Sequence, residues 1–395
     1  MRKSRLPEGE TNLFQSIKLV KLKARENGQE LIDLSIGQPK GPALQSARNA
    51  ASVAILSEEE SMHEYQDNGS PGVKDFAKRF IGAHSRIRVS ENDVDYLPTP
   101  GTKPMLGLIP LACGSSRTCG LQVVATTTNP GYPTPRDWCH YLGLEVFEPE
   151  LNSDNNFLFD LHELDGQNVG LIMINYPHNP SGAVANHYWL ETLCAYCEDN
   201  NIRLFNDAAY AALAYDDDSY CLSDVVSNFP NLSWAEAFSA SKLISNGTGW
   251  RVGAIVGSKD FVGDIKTIKG NTDSGFVAPM AFGVLAAIEN DKKSIIANME
   301  KYKRRAEDLC GILLGAGMRI AIIPKAGFFT LWEAPKFAFG RKMEDAKDFN
   351  FAMIEKFGIV GVHFGKYIRY SVACTEIRDV ADEIEAAFRS AEVSY

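Results

Sequence analysis

No stretch of the chain reaches the roughly 18 to 20 consecutive apolar residues that a membrane-spanning helix needs. Positive charge is also short: 40 Lys and Arg stand against 50 Asp and Glu, a formal net charge of −10. That balance argues against nucleic acid or an anionic membrane as the main partner, since both call for a basic surface. A small anionic ligand held in a local pocket of Lys and Arg remains compatible with it. Cysteine is sparse, eight residues scattered over 395, which a reduced compartment accommodates without disulfides. Cys194 and Cys197 have a CxxC spacing, but no second pair or His cluster accompanies them. Within the apolar run Leu190 to Cys197 they read as one side of a helix, not as a metal site. There are no internal repeats, and the charged segment Met1 to Glu10 lacks the apolar core of a signal peptide. A cytoplasmic protein is the expectation.

What is present is a globular composition, 45% hydrophobic and 23% charged, in a chain long enough for two domains. Apolar runs suited to buried strands occur at 121–126, 144–147, 170–175, 202–205, 234–238 and 254–256, with helical spacing between several of them, as at 186–198. Short buried strands alternating with helices predict an α/β fold, a large domain whose mostly parallel sheet is flanked by helices. The last hundred residues read differently: a long charged helix over 291–314, strands at 320–323, 328–332 and 368–372, and helices at 343–357 and 377–391. That pattern is a small α+β domain, which residues 19–36 from the other end complete. The expected division is 1–45 as N-terminal arm and part of the small domain, 46–288 as the large domain and 289–395 as the C-terminal small domain.

In an open α/β sheet, ligands sit at the carboxyl ends of strands, so the residues just past each strand come first. Asn129-Pro-Gly-Tyr132 follows one strand, and Asn175-Tyr-Pro-His-Asn179-Pro-Ser-Gly182 follows the next. Another strand runs into Asp207-Ala-Ala-Tyr210, and a further one into Ser239-Ala-Ser241-Lys242, with Gly247-Thr-Gly-Trp-Arg251 beyond it. Upstream, Gly101-Thr102-Lys103 opens an apolar helix, offering backbone N–H groups, a hydroxyl and a cation that suit a phosphate. Ser239, Ser241 and Arg251 add hydroxyls and a guanidinium able to grip the same group. Asp207 suits a positive ring nitrogen, Tyr132 the face of that ring. Lys242, desolvated among cations, suits a nucleophilic amine of lowered pKa. Phosphate, basic aromatic nitrogen and carbonyl carbon together describe pyridoxal phosphate.

The ordered set GTK, PGYP, NPSG, DxxY, SxSK with GxRxG, and a late RxS resembles the class I/II aminotransferases of the aspartate aminotransferase superfamily, from about Leu31 to the C-terminus. These are fold type I pyridoxal-phosphate enzymes. The resemblance implies that Lys242 is the Schiff-base lysine and Asp207 the partner of the pyridine nitrogen. It makes Asn179 and Tyr210 the donors to the ring hydroxyl, and Tyr132 the stacking aromatic. Gly101, Thr102, Lys103, Ser239, Ser241 and Arg251 become the phosphate cup. Arg369 becomes the clamp on the substrate α-carboxylate, with Gly37 lying against that group. Tyr65 matches a tyrosine that reaches the phosphate of the partner subunit, so a homodimer with shared active sites is also implied.

Three departures stand out. Arg251 lies nine residues after Lys242 instead of the usual eight, so the loop over 243–248 is expected to bulge. The segment Val362-His-Phe-Gly365 is shorter than usual, so the substrate lid differs. No second arginine is placed to read a dicarboxylate side chain. The expected reaction is a ping-pong transfer of an amino group from an L-amino acid to a 2-oxo acid. The alternatives are a carbon–sulfur lyase on the same fold and a silent cofactor-binding regulator. The amino donor stays open. So do four minor positions: His178 as a solvated loop residue or a cofactor contact, His363 at the lid, and Phe14 and Phe328 as pocket or core. Asp273, Ser274 and Gly275 are read as a helix N-cap.

Overall fold

The computed structural model describes residues 13–67, 72–84, 92–114 and 123–395, and the side chains of Leu13, Phe14 and Val73 lie outside that description. A seven-stranded sheet forms the larger part. Its strands are β1 (Val94–Thr99), β2 (Val123–Thr126), β3 (Val146–Phe147), β4 (Val169–Ile174), β5 (Arg203–Asp207), β6 (Trp234–Ser239) and β7 (Gly253–Ser258). They lie in the order β1-β7-β6-β5-β4-β2-β3. From β6 across to β3 every pairing is parallel, while β7 runs antiparallel to both β1 and β6. The fold is thus α/β with a mixed, mostly parallel sheet.

Helices cover both faces, which is why β4 and β6 are buried at almost every residue and read as largely apolar runs, broken in β6 by Glu236. The helix His187–Asp199 shows how the sequence sets one of those covers. Asn186 caps it by accepting from the Trp189 N–H at 2.8 Å, and Leu190, Leu193, Cys194 and Cys197 point to the core at helical spacing. Both cysteines are fully buried there.

A second sheet, antiparallel throughout, is built from β8 (Ile320–Ile322), β9 (Phe329–Glu333), β10 (Val362–Phe364) and β11 (Tyr367–Ser371), in the order β10-β11-β9-β8. Behind it lie the helices Lys292–Gly315, Ala346–Phe357 and Ala381–Ala391, with Leu309, Phe349, Met353 and Phe388 in one apolar cluster. The chain's two ends meet here. Ile32–Asp33 pairs in parallel with Ile359–Val360, and Ile17 and Ala24 of the helix Leu13–Glu26 pack with Ile354, Val360 and Val362.

Several local expectations need correction. β1 is missing from the sequence reading because Pro98 interrupts its pattern. It is an edge strand bonded to β7 alone, where a proline is tolerated. Asp273 to Gly275 do not cap the helix Ala278–Asn290, whose N-cap is Val277. Instead Asp273 receives the buried Lys269 Nζ at 2.6 Å and the Gly275 N–H at 2.9 Å. Val362 to Phe364 form β10, a strand of the smaller sheet.

Candidate functional site

The carboxyl ends of β2, β4, β5 and β6 converge on one edge of the large sheet. The two reversals through β7 return the end of β1 to that edge, with Arg251 entering just ahead of β7. A cavity of about 530 Å³ opens there. Asp207 ends β5, and Asn179 and Tyr210 come from the loops after β4 and β5. Ser239 ends β6 and accepts from the Ser241 N–H, starting the short helix Ala240–Leu243 that carries Ser241 and Lys242. Thr102, Lys103 and Arg251 close one side and Tyr132 another. Arg369 comes from β11 and Gly37 from the segment beside it, so the second sheet supplies the remaining wall.

Gly101 is not among the residues that line the cavity. Its φ is +82°, and a Cβ there would stand 2.7 Å from Arg251 Nη2. The Arg251 guanidinium is held by the carbonyls of Pro100 at 2.7 Å and Thr248 at 3.0 Å. In the loop ahead of it Ser245 has φ +64°, and Arg251 itself has φ +55°. Tyr65 is 79% exposed and does not line the cavity of this single chain.

Burial sets the electrostatics. It lowers Lys242 to about 8, with Asp207 opposing and Arg251 adding to the shift. It raises Asp207 to about 6, against the pull of Lys242, Thr102 and the Ala209 N–H. Lys242 Nζ lies 4.7 Å from the centre of the Tyr210 ring. Arg369 is 3% exposed and brought down to about 10 by burial, against the attraction of Tyr210 and Tyr132. Its Nη1 donates to Asn179 Oδ1 at 2.9 Å and its Nη2 to the Ser35 carbonyl at 3.0 Å, over the face of Phe329 at 4.1 Å. Among the described side chains that line the cavity, two buried polar atoms have no hydrogen-bond partner, Asp207 Oδ1 and Arg369 Nε. The arrangement offers an amine that loses its proton near neutral pH, an acceptor for a positive nitrogen, donors for a phosphate and a cation for a carboxylate.

Some cavity residues escaped the sequence reading. Asn175, in the loop after β4, lines the cavity. It donates from Nδ2 to the Asp207 carbonyl at 2.7 Å and accepts the Asn179 N–H at 3.0 Å, locking the two loops together. Phe329, not Phe328, faces the cavity. Phe328, in the turn just ahead of β9, is fully buried between Tyr210 and Tyr302. His178 is buried at 2% exposure with Nδ1 on Ser181 Oγ at 2.6 Å, so it is neither solvated nor a cavity residue. His363 packs on Phe351 and also stays out of the cavity.

A family model for aminotransferase class I and II matches residues 29–385. The chain belongs to that family. The aminotransferase is 28% identical over 377 residues to the LL-diaminopimelate aminotransferase of Methanocaldococcus jannaschii, covering 93% of this chain and 86% of that one. It is 29% identical to the enzyme of the same name from Methanococcus maripaludis, covering 96% and 88%. Substrate-bound BacF from Bacillus subtilis superposes with a TM-score of 0.84 at 22% identity, over 100% of this chain and 99% of that one. Aspartate aminotransferase from Thermotoga maritima gives 0.78 at 21%, over 98% and 99%. The fold is that of the fold type I aminotransferases, and the reaction is amino-group transfer, a chemistry this family carries out with pyridoxal phosphate. None of these relatives favours the lyase alternative.

Proposed function

We propose that this aminotransferase binds pyridoxal phosphate at the cavity and moves amino groups between amino acids and 2-oxo acids in two half-reactions. The observation that carries the assignment is the presence of buried Lys242 and buried Asp207 at one cavity, with Asp207 Oδ1 left without a protein partner. A carboxylate left so inside a fold is costly unless a cation meets it, and a protonated ring nitrogen is that cation. The remaining groups fit the cofactor's other parts. Ser239, Ser241, Thr102, Lys103, Arg251 and the Gly101 backbone would hold the phosphate. Asn179 and Tyr210 would donate to the ring hydroxyl, and Tyr132 would cover the ring face.

When bound, the cofactor supplies an electron sink for charge at the substrate Cα. The chain supplies the rest. Arg369, with Gly37 beside it, fixes the substrate α-carboxylate and so the direction of the Cα–H bond. Lys242 Nζ, with its affinity for protons lowered by burial, takes that proton and gives it back within the same site. Asp207 holds its proton partner in place while charge develops. Tyr210 and Phe329 keep water from the reacting face.

Residues 1–45 with 289–395, and residues 46–288, would form the two domains, in keeping with the two larger sheets. The working form is a cytoplasmic homodimer in which Tyr65 reaches the partner's phosphate. Exposed Val53, Leu56, Val277 and Phe282 offer apolar surface for a partner copy, and no described helix is long and apolar enough to cross a membrane. The shared name of the curated relatives makes LL-diaminopimelate the first donor to try.

The deciding experiment is an absorbance spectrum of the purified protein with pyridoxal phosphate, beside Lys242→Ala, before and after a panel of amino donors led by LL-diaminopimelate. A bound-cofactor band absent from the variant, and converted by particular donors without ammonia release, is the expected result. No band would remove the cofactor assignment, and a band that no donor converts would remove the reaction.

A further inference from the structure

The helix Lys292–Gly315 runs behind the cavity and lends it no side chain. Three residues on one of its faces nevertheless reach the machinery from the rear. Asn298, Tyr302 and Arg305 are spaced by four and then three, which stacks them along that face. Asn298, 5% exposed, donates from Nδ2 to the main-chain carbonyl of Lys242 at 3.0 Å. The Tyr302 ring meets Phe328 edge-on at 5.2 Å, and Phe328 meets Tyr210 edge-on at 5.6 Å. Arg305 Nη1 donates at 3.3 Å to the carbonyl of Val372, which directly follows β11, the strand of Arg369.

The first of these contacts matters most, because the helix that carries Lys242 is only four residues long. A helix of that length leaves its carbonyls to be satisfied from outside. The Ser241 carbonyl takes the Gly247 N–H at 3.1 Å, the Ile244 carbonyl takes the Leu44 N–H at 3.0 Å, and the Lys242 carbonyl takes the Asn298 side chain. The amide is itself oriented. Lys301 Nζ donates to Asn298 Oδ1 at 2.9 Å, so Nδ2 is the end that must face Lys242.

We infer that Asn298 is a positioning residue for Lys242: it fixes the peptide plane from which the lysine side chain departs, and does so from the helix that also backs the strand of Arg369. The inference rests on the reading of Lys242 as the cofactor lysine. Rotating that peptide plane swings the Cα–Cβ bond, and a long side chain magnifies the swing at Nζ. A proton transfer is sensitive to such a displacement in a way that binding of the donor's carboxylate is not.

The test uses the cofactor-loaded enzyme with Asn298→Ala and Asn298→Asp. The aspartate keeps the shape and the acceptor for Lys301 but cannot donate to the Lys242 carbonyl when ionised. In both variants kcat is expected to fall roughly ten- to hundredfold while KM for the amino donor changes by less than about threefold. The pH midpoint of the lysine-bound cofactor's absorbance should shift as well, a signature that loss of packing alone does not produce. Wild-type kcat and midpoint in Asn298→Asp would overturn the inference, whatever happens to Tm in Asn298→Ala. Borohydride reduction of the wild-type holoenzyme and mapping of the labelled peptide keep the two readings apart. Label on another lysine defeats the assignment of Lys242, whereas label on Lys242 with unchanged variant kinetics defeats only the role of Asn298.

Discussion

Replacing Arg369 with leucine should cripple the enzyme and yet leave the cofactor-free protein no less stable. The guanidinium is buried, faces no carboxylate among the described residues, and is brought from its ordinary 12.5 down to about 10 by desolvation. For a base whose folded pKa is lowered, the cost is present in full at all pH below about 10 and is relieved only as pH climbs toward the unfolded value. A shift of that size corresponds to about 3 kcal/mol of native-state cost at neutral pH. Against it stand the hydrogen bonds to Asn179 Oδ1 and the Ser35 carbonyl. Stranding those two acceptors costs roughly 1 kcal/mol each. Arg369→Leu should therefore come out about 1 kcal/mol more stable, or level, by thermal denaturation of the apo protein. A carboxylate ligand that loses two charge-assisted bonds gives up roughly 3–5 kcal/mol, so kcat/KM for any amino donor should fall about 10²- to 10³-fold or more. A variant that keeps kcat/KM within about tenfold of wild type would show that the α-carboxylate binds elsewhere. One that loses Tm sharply would show that Arg369 is a structural cation.

Other outcomes follow from single features of the site. Lys242 sits near 8 because it is buried, so the rate at which apo protein captures pyridoxal phosphate should rise with pH and level off above about 8; a rise continuing past pH 10 would refute the desolvation argument. Asp207→Asn should still bind the cofactor but lower kcat by at least about a hundredfold, since a neutral amide does not keep the ring nitrogen protonated; steady-state kinetics beside the absorbance spectrum checks this. Gly275→Ala should lower stability by roughly 2–4 kcal/mol, and Tm with it, because φ is +110° and the new Cβ would fall 1.7 Å from the Gln66 carbonyl oxygen. Denaturation of the purified variant would show it, and an unchanged Tm would mean that this turn relaxes freely.

The fold was legible where the physics is local and repetitive. β4, β5 and β6 are sheathed on both faces, so apolar residues dominate them and a buried polar residue such as Glu236 needs its own hydrogen-bond partners, and their runs announce them. β1 was invisible because an edge strand obeys looser rules: Pro98 sits where only one neighbour needs a donor. The turn at Asp273 was misread for a related reason. An acid ahead of an apolar helix suggests a cap, and nothing in the sequence says that Lys269, one turn back on the preceding helix, will claim the carboxylate first.

The candidate site divides along the same line. Lys242, Asp207, Asn179 and Arg251 stand just past strand ends or in glycine-marked loops, where the backbone pattern itself points to them. Phe329 was missed by one position because a slip of one residue along a strand reverses its face, and only the pairing of Leu331 with Arg369 and of Phe329 with Ser371 fixes which face meets the cavity. Asn175 and Asn298 belong to a different class. Each works by holding another residue's main chain, Asp207 in one case and Lys242 in the other. A main-chain acceptor has no residue type, so sequence carries no mark of the partner, and the separation of 56 positions between Asn298 and Lys242 hides the contact altogether. Groups that touch ligand leave a pattern because their chemistry is specified, whereas groups that aim them are specified only by where the fold puts a carbonyl.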